Sequence, residues 1–303
     1  MAVPETVHAT EAVQGEGTPT KYVPRKTGRA PCFFVSHGAG PFAILNAPFQ
    51  LQLVDLCEKT RWVLDGWKGV ILVTAHWVTD QPHISSGPKP HIYYDYIDGL
   101  DGIPPEAWEI KYESRGDTEC AHEIKKRLDK QGFNCVLDDE RGWDHGVWVP
   151  MKLLRPDGDL PIVQVSVPGN MGEKETPEAL KLGAALESFR DDGWVILGSG
   201  SSYHNFDAVI PAIMGVPGAK DAPDNRPFEA ALQKVAFTED VEERRRLMLT
   251  WRDWFPEHDV VQPLGKAEHF MPFIVNIGAS GGDKGELLGT WDLFGTKMTS
   301  YVW

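Results

Sequence analysis

Dense apolar runs with β-branched centres punctuate the chain, and several end in or beside a histidine. Gly69-Val-Ile-Leu-Val-Thr-Ala-His-Trp77 is the plainest of them. Pro31-Cys-Phe-Phe-Val-Ser-His37 is a second, and Trp194-Val-Ile-Leu-Gly-Ser-Gly200 is a third, with His204 four residues on. Runs of this kind predict strands buried on both faces, as in a parallel α/β sheet. Leu160–Val167 and Cys135–Leu137 predict further strands, and His83–Ser86 a short edge strand. Helical periodicity covers 44–67, with apolar positions at Leu53, Leu56, Cys57 and Leu64. Asp117 caps a predicted helix through Lys130 that stops at Gly132. Thr176 caps another through Asp191. Residues 228–255 read as two helical segments broken near Thr238. An apolar helix starts within 267–275, with Pro272 in its first turns. Residues 88–108 and 211–227 read as loops; the first, with His91, Tyr93, Tyr94, Asp95 and Tyr96 beside a strand end, reads either as a pocket wall or as a packed surface loop, and the loosely alternating tail, 286–303, returns as strands.

Strands alternating with helices indicate an α/β fold: a single domain over 31–303 with a central, mostly parallel or mixed sheet flanked by helices. Residues 1–30, rich in Pro, Thr, Glu and Gly, form an N-terminal arm that lies either on the surface or against a second copy in a homo-oligomer. No apolar stretch approaches the roughly 20 residues of a membrane span, and the arm lacks the apolar core of a secretory signal. The expectation is a cytoplasmic protein without a membrane partner.

The 303 residues carry a formal charge of −14. Nucleic-acid binding needs a basic face, so a nucleic-acid partner is excluded. The four cysteines, Cys32, Cys57, Cys120 and Cys135, form no CxxC pair and signal neither a thiol zinc site nor a redox dithiol. They read as buried, reduced thiols.

The chemistry lies in the histidines. Ligands collect beyond the carboxyl ends of parallel strands, and His37, His76 and His204 all fall there. His269 begins a helix in the last third of the chain. His145 stands between tryptophans in Gly142-Trp-Asp-His-Gly-Val-Trp148. Neutral imidazole is the commonest metal-binding side chain. Ligands scattered in sequence but gathered at one sheet edge suit an enzyme metal site, whereas a zinc finger needs closely spaced ligands. His8, His83, His91, His122 and His258 lack such a setting. The glycines of His37-Gly-Ala-Gly-Pro41 fit neither dinucleotide nor phosphate-loop spacing.

Ser36-His-Gly-Ala-Gly-Pro41, Thr74-Ala-His-Trp77, Trp143-Asp-His-Gly-Val-Trp-Val-Pro150, Gly198-Ser-Gly-Ser-Ser-Tyr-His-Asn205 and Glu268-His-Phe-Met-Pro272 together resemble, in order, the class III extradiol ring-cleaving dioxygenases, in particular the DOPA 4,5-dioxygenase-like branch. The resemblance spans about 32–277. It implies a single α/β domain with a mononuclear non-haem Fe(II), and Zn(II) is also found in this site. By resemblance His37, His76 and His269 hold the metal. His204 is a further ligand or an acid/base beside it, and His145 is a pocket histidine that binds substrate or oxygen. Related enzymes use two His and one Glu, which raises Glu268 as an alternative. Adjacent residues point in different directions, and His269 is chosen. The loop 87–94 lacks the segment associated with betalain-forming DOPA dioxygenases, which argues against DOPA itself.

The implied reaction opens the ring of a catechol with O2. Ground-state O2 is a triplet, and a redox metal with open positions can bring it together with a singlet catechol. His204 and His145 are the expected catalytic groups, because imidazole exchanges protons near neutrality. Trp77, Trp143 and Tyr203 are the expected aromatic walls for a planar substrate. The competing classes are a zinc-dependent hydrolase, which the absence of H-E-x-x-H disfavours, and a non-enzymatic protein similar to the Memo family.

Overall fold

The computed structural model describes residues 28–96, 103–169, 174–213, 216–218 and 222–303. All but the last three residues of the expected arm lie outside this set. Those three belong to the domain: buried Arg29 pairs with Glu187 at 2.8 Å and Asp191 at 3.0 Å, and Ala30 N–H donates to Arg190 O.

The strands are β1 (Cys32–Ser36), β2 (Gly69–Thr79), β3 (His83–Ser85), β4 (Val136–Asp138), β5 (Ile162–Pro168), β6 (Trp194–Gly200), β7 (Glu286–Leu293) and β8 (Thr296–Val302). They form one mixed sheet in the order β4-β3-β5-β2-β6-β1-β8-β7. The centre, β5-β2-β6-β1, is parallel. These are the strands the apolar runs predict, and Val70–Ala75 and Val195–Gly200 are buried throughout. The tail is an antiparallel hairpin whose β8 pairs with β1. β3 is not an edge strand: it runs antiparallel to β5 and carries β4 on its outer side.

The helices are α1 (Leu51–Thr60), α2 (Thr118–Asp129), α3 (His145–Leu154), α4 (Glu175–Leu186), α5 (Phe206–Ile213), α6 (Arg226–Phe237), α7 (Val241–Leu249), α8 (Trp251–Trp254), α9 (His258–Val261) and α10 (Met271–Ala279). The long first helix expected over 44–67 is shorter, because 3-10 turns at Pro48–Gln50 and Arg61–Leu64 flank α1. Asp117 caps α2 as expected, accepting from Cys120 N at 2.8 Å. Thr176 does not cap α4: its hydroxyl accepts from the Trp251 indole instead. The break at 238 is real, but Asp240 caps α7 by accepting from Glu243 N. α5 was not expected, since Pro211 reads as a breaker and here lies within the helix. No helix among the described residues is long and apolar enough to cross a membrane.

α10 packs against α4 and β6. Buried Arg190 stitches the end of the domain together. Its guanidinium donates to the carbonyls of Ala30, Ala279, Ser280 and Trp303 and pairs with Asp283 at 2.8 Å. All four cysteines are free and buried.

Candidate active site

The parallel strands end at one edge of the sheet, and five histidines meet there. His37 follows β1, and its N–H donates to Gly200 O at 3.0 Å. His76 sits where the β2–β5 register shifts between Thr74 and Val78. Such a bulge re-aims a side chain that a regular ladder would hold on its alternating face. His269 lies in the 3-10 turn Glu268–Phe270, pinned by Ser201 N–H on its carbonyl at 2.9 Å. That approach needs Gly200, where an added Cβ would come within 2.2 Å of His269 O. His204 follows β6, with its N–H on Val261 O. His145 is the first residue of α3.

The start of α3 is fixed by fully buried Asp144. It accepts from Thr74 Oγ1 at 2.8 Å, Arg141 Nη2 at 2.9 Å and Gln164 Nε2 at 2.7 Å. Its neighbour Gly146 leaves no room for a side chain, because a Cβ there would lie 2.9 Å from His76 Cδ2.

His76 Nε2 lies 3.1 Å from His37 Nε2 and 3.1 Å from His269 Nε2. The other nitrogen of each ring faces an oxygen. Ser199 Oγ donates to Gly146 O, so it accepts from His37 Nδ1–H at 3.0 Å. Asp95 Oδ2 lies 3.3 Å from His76 Nδ1, and Glu268 Oε1 lies 3.1 Å from His269 Nδ1. A ring that donates through Nδ1 keeps its lone pair on Nε2. Burial holds all three rings well below the usual histidine range, and the neighbouring histidines push the same way. Three neutral nitrogens with converging lone pairs repel one another unless a cation lies between them. Two nitrogens each about 2.1 Å from one ion are at most about 4.2 Å apart, so the spacing fits a shared metal. Glu268 serves His269 as acceptor.

His204 stacks on His269, with ring centroids 3.5 Å apart and planes 12° apart. Its Nδ1 is buried without a hydrogen-bond partner, 3.4 Å from Glu268 Oε1. Burial pushes its pKa down to about 4. His145 lies beside His76, with centroids 3.8 Å apart. Its Nδ1 and backbone N both donate to Asp95 Oδ1 at 2.9 Å. One carboxylate therefore holds His145 and lies beside His76. Burial raises the Asp95 pKa, but its hydrogen bonds with His145 and the charge there outweigh this and hold it below its ordinary value.

These groups open into a cavity of about 370 Å³, within the range of small-molecule sites. Beyond the histidines and Asp95, its side-chain walls come from Pro41, Phe42, Tyr96, Ile103, Phe206 and Ile210. All five site histidines expected from the sequence line it. The three expected aromatic walls do not. Trp143 and Tyr203 are wholly buried in the core, and Trp77 is turned under the Arg141 guanidinium, 5.0 Å from its ring. Trp77 follows His76 in the same irregular stretch of β2 and packs beneath Arg141 instead of lining the cavity. The aromatic loop read as a possible pocket wall does contribute Asp95 and Tyr96 to the cavity, whereas the sequence carried no signal for Ser199.

Residues 60–291 match the family described as the catalytic LigB subunit of aromatic ring-opening dioxygenase. The chain is 34% identical over 290 residues to dioxygenase tasH of Hapsidospora irregularis, covering 92% of this chain and 86% of that protein. It is 31% identical over 272 residues to 4,5-DOPA dioxygenase extradiol of Beta vulgaris, covering 86% and 91%. The crystal structure of an uncharacterized protein, JW3007, from Escherichia coli K12 shares the fold, with a TM-score of 0.66 at 20% identity, covering 90% and 99% of the two chains. The chain thus belongs to the LigB family of aromatic ring-opening dioxygenases and is an enzyme of the extradiol ring-cleaving type.

Proposed function

We propose that the enzyme opens the ring of a catechol with O2, using Fe(II) held by His37, His76 and His269. The observation that carries the reading is the convergence of three Nε2 atoms, with 3.1 Å separations on either side of His76, at the floor of an apolar cavity. Fe(II), when bound, would supply the one-electron chemistry that lets triplet O2 react with a singlet catechol. Zn(II) fits the same donors but has no accessible redox step, so a zinc form would be inert in ring opening.

The chain's own groups handle protons and position. His204, held neutral by burial, accepts a catechol proton and returns it as the ring opens. His145 hydrogen-bonds substrate or oxygen through Nε2, since Asp95 holds its Nδ1–H. The stack on His269 and the hydrogen bonds to Asp95 keep both rings in place. The apolar walls exclude water from the reacting oxygens.

The test separates metal holding from proton handling. His37→Ala and His76→Ala should each abolish stoichiometric iron binding. His204→Ala and His145→Ala should retain most of the iron while turnover falls by about 10²–10⁴-fold. Loss of iron in the His204 variant equal to that in the His37 variant would make His204 a ligand. Full activity in both the His204 and His145 variants would overturn their assignment.

A further inference from the structure

We infer that the substrate is a catechol bearing an uncharged, apolar substituent, and that the cavity discriminates against ring substituents ending in a carboxylate. This deepens the ring-opening reading above and rests on it. Among the described residues lining the cavity none is Lys or Arg, and the one formally charged side chain is Asp95, an anion. Among the described residues, the nearby cations Arg141 and Lys266 bind other groups. Arg141 binds Asp144 and the His76 carbonyl, and exposed Lys266 pairs with Asp207 at 3.3 Å. The one hydroxyl among the walls, on Tyr96, donates to Ala107 O at 3.1 Å. Tyr96 therefore offers the cavity its ring rather than a donor.

Among the described residues, side-chain polar groups are thus confined to the histidine cluster with Asp95; the Gly38–Gly40 turn adds main chain, and the remaining side-chain walls are Ala39, Pro41, Phe42, Tyr96, Ile103, Phe206 and Ile210. Two ring oxygens can be satisfied at the histidines. A carboxylate on the substituent would face apolar side chains and an anion, with no paired charge, and an unpaired charge moved out of water is strongly disfavoured. An alkyl or aryl substituent of the same size would gain from burial.

The experiment compares 4-propylcatechol, 3-(3,4-dihydroxyphenyl)propanoate and the methyl ester of that acid on the iron-loaded enzyme. It reads kcat/KM by oxygen uptake, and affinity by calorimetry without oxygen. The propyl compound and the ester should exceed the acid by about tenfold or more in both readouts. Ile210→Lys should narrow that ratio by placing a cation in the cavity wall. Ring opening with the acid equal to or better than the neutral compounds would overturn the inference and leave the reaction standing. Preferential binding of the neutral compounds without ring opening would support the inference and overturn the reaction.

Discussion

Each of the three converging histidines has an oxygen beside its outer nitrogen: a serine hydroxyl accepts from His37, a glutamate lies at hydrogen-bond distance from His269, and the Asp95 carboxylate lies 3.3 Å from His76. The acceptors set the tautomer, and the tautomer decides which nitrogen faces the centre. Asp95 has the widest reach, since it accepts from His145 and its other oxygen lies 3.3 Å from His76 Nδ1. Asp95→Asn replaces one acceptor oxygen with a donor facing a ring N–H. Metal affinity should fall by about 10–100-fold, read by competition with a chelator of known affinity, and unchanged affinity would remove Asp95 from the metal's support. At this scale the histidines were legible and their partners were not. A histidine at the end of an apolar run is a local signal. Ser199 stands 162 residues from His37, and no spacing rule links them. The misread tryptophans fail for a related reason: an aromatic near a strand end can point to the cavity or to the core, and only packing decides.

At the scale of elements, the bulge in β2, the start of α3 and the turn before α10 each deliver one histidine to the same point. The strands were readable from composition because burial on both faces demands apolar residues throughout. Their pairing was not, and β3 shows why: a three-residue strand carries no pattern that says what lies on its outer side. A polar cluster behind the site joins α6 to β8 and to the β6 end. Buried Glu229 accepts from Thr299 Oγ1 and from Asn225 Nδ2 at 3.1 Å. Ser202 Oγ accepts from Thr299 N at 3.0 Å, and Ser202 N donates to Ser36 Oγ, beside His37. Burial raises the Glu229 pKa from 4.5 to about 7, against the hydrogen bonds from Thr299 and Ser202. Below pH 4.5 both folded and unfolded chains hold this proton. Between 4.5 and 7 the unfolded chain releases it and the folded chain does not, so this group's contribution to stability falls as pH rises and levels off above 7. Relative to Glu229→Gln, which cannot ionise, the wild type should lose about 3 kcal/mol across that window. Denaturant unfolding of both proteins at pH 4.5, 6 and 7.5 checks it, and parallel stability profiles would show that Glu229 ionises freely in the fold.

For the whole molecule, the alternation of strands and helices was enough to predict the α/β class and the edge of the sheet at which the five histidines meet. The order of the strands was beyond it, because the return of the C-terminal hairpin to β1 depends on long-range pairing and on buried contacts such as those of Arg190. The acidic net charge and the absence of Lys and Arg among the described residues lining the cavity agree in sign with the inferred preference for a neutral substituent. The most direct measurement is the stoichiometry of oxygen consumption by metal-free protein reloaded without air, once with Fe(II) and once with Zn(II), then given 4-propylcatechol and O2. The assignment predicts oxygen uptake equimolar with catechol loss and a new near-UV or visible absorbance for the iron form, with neither for the zinc form. Catechol left intact by fully iron-loaded protein, or equal turnover with zinc, would contradict it.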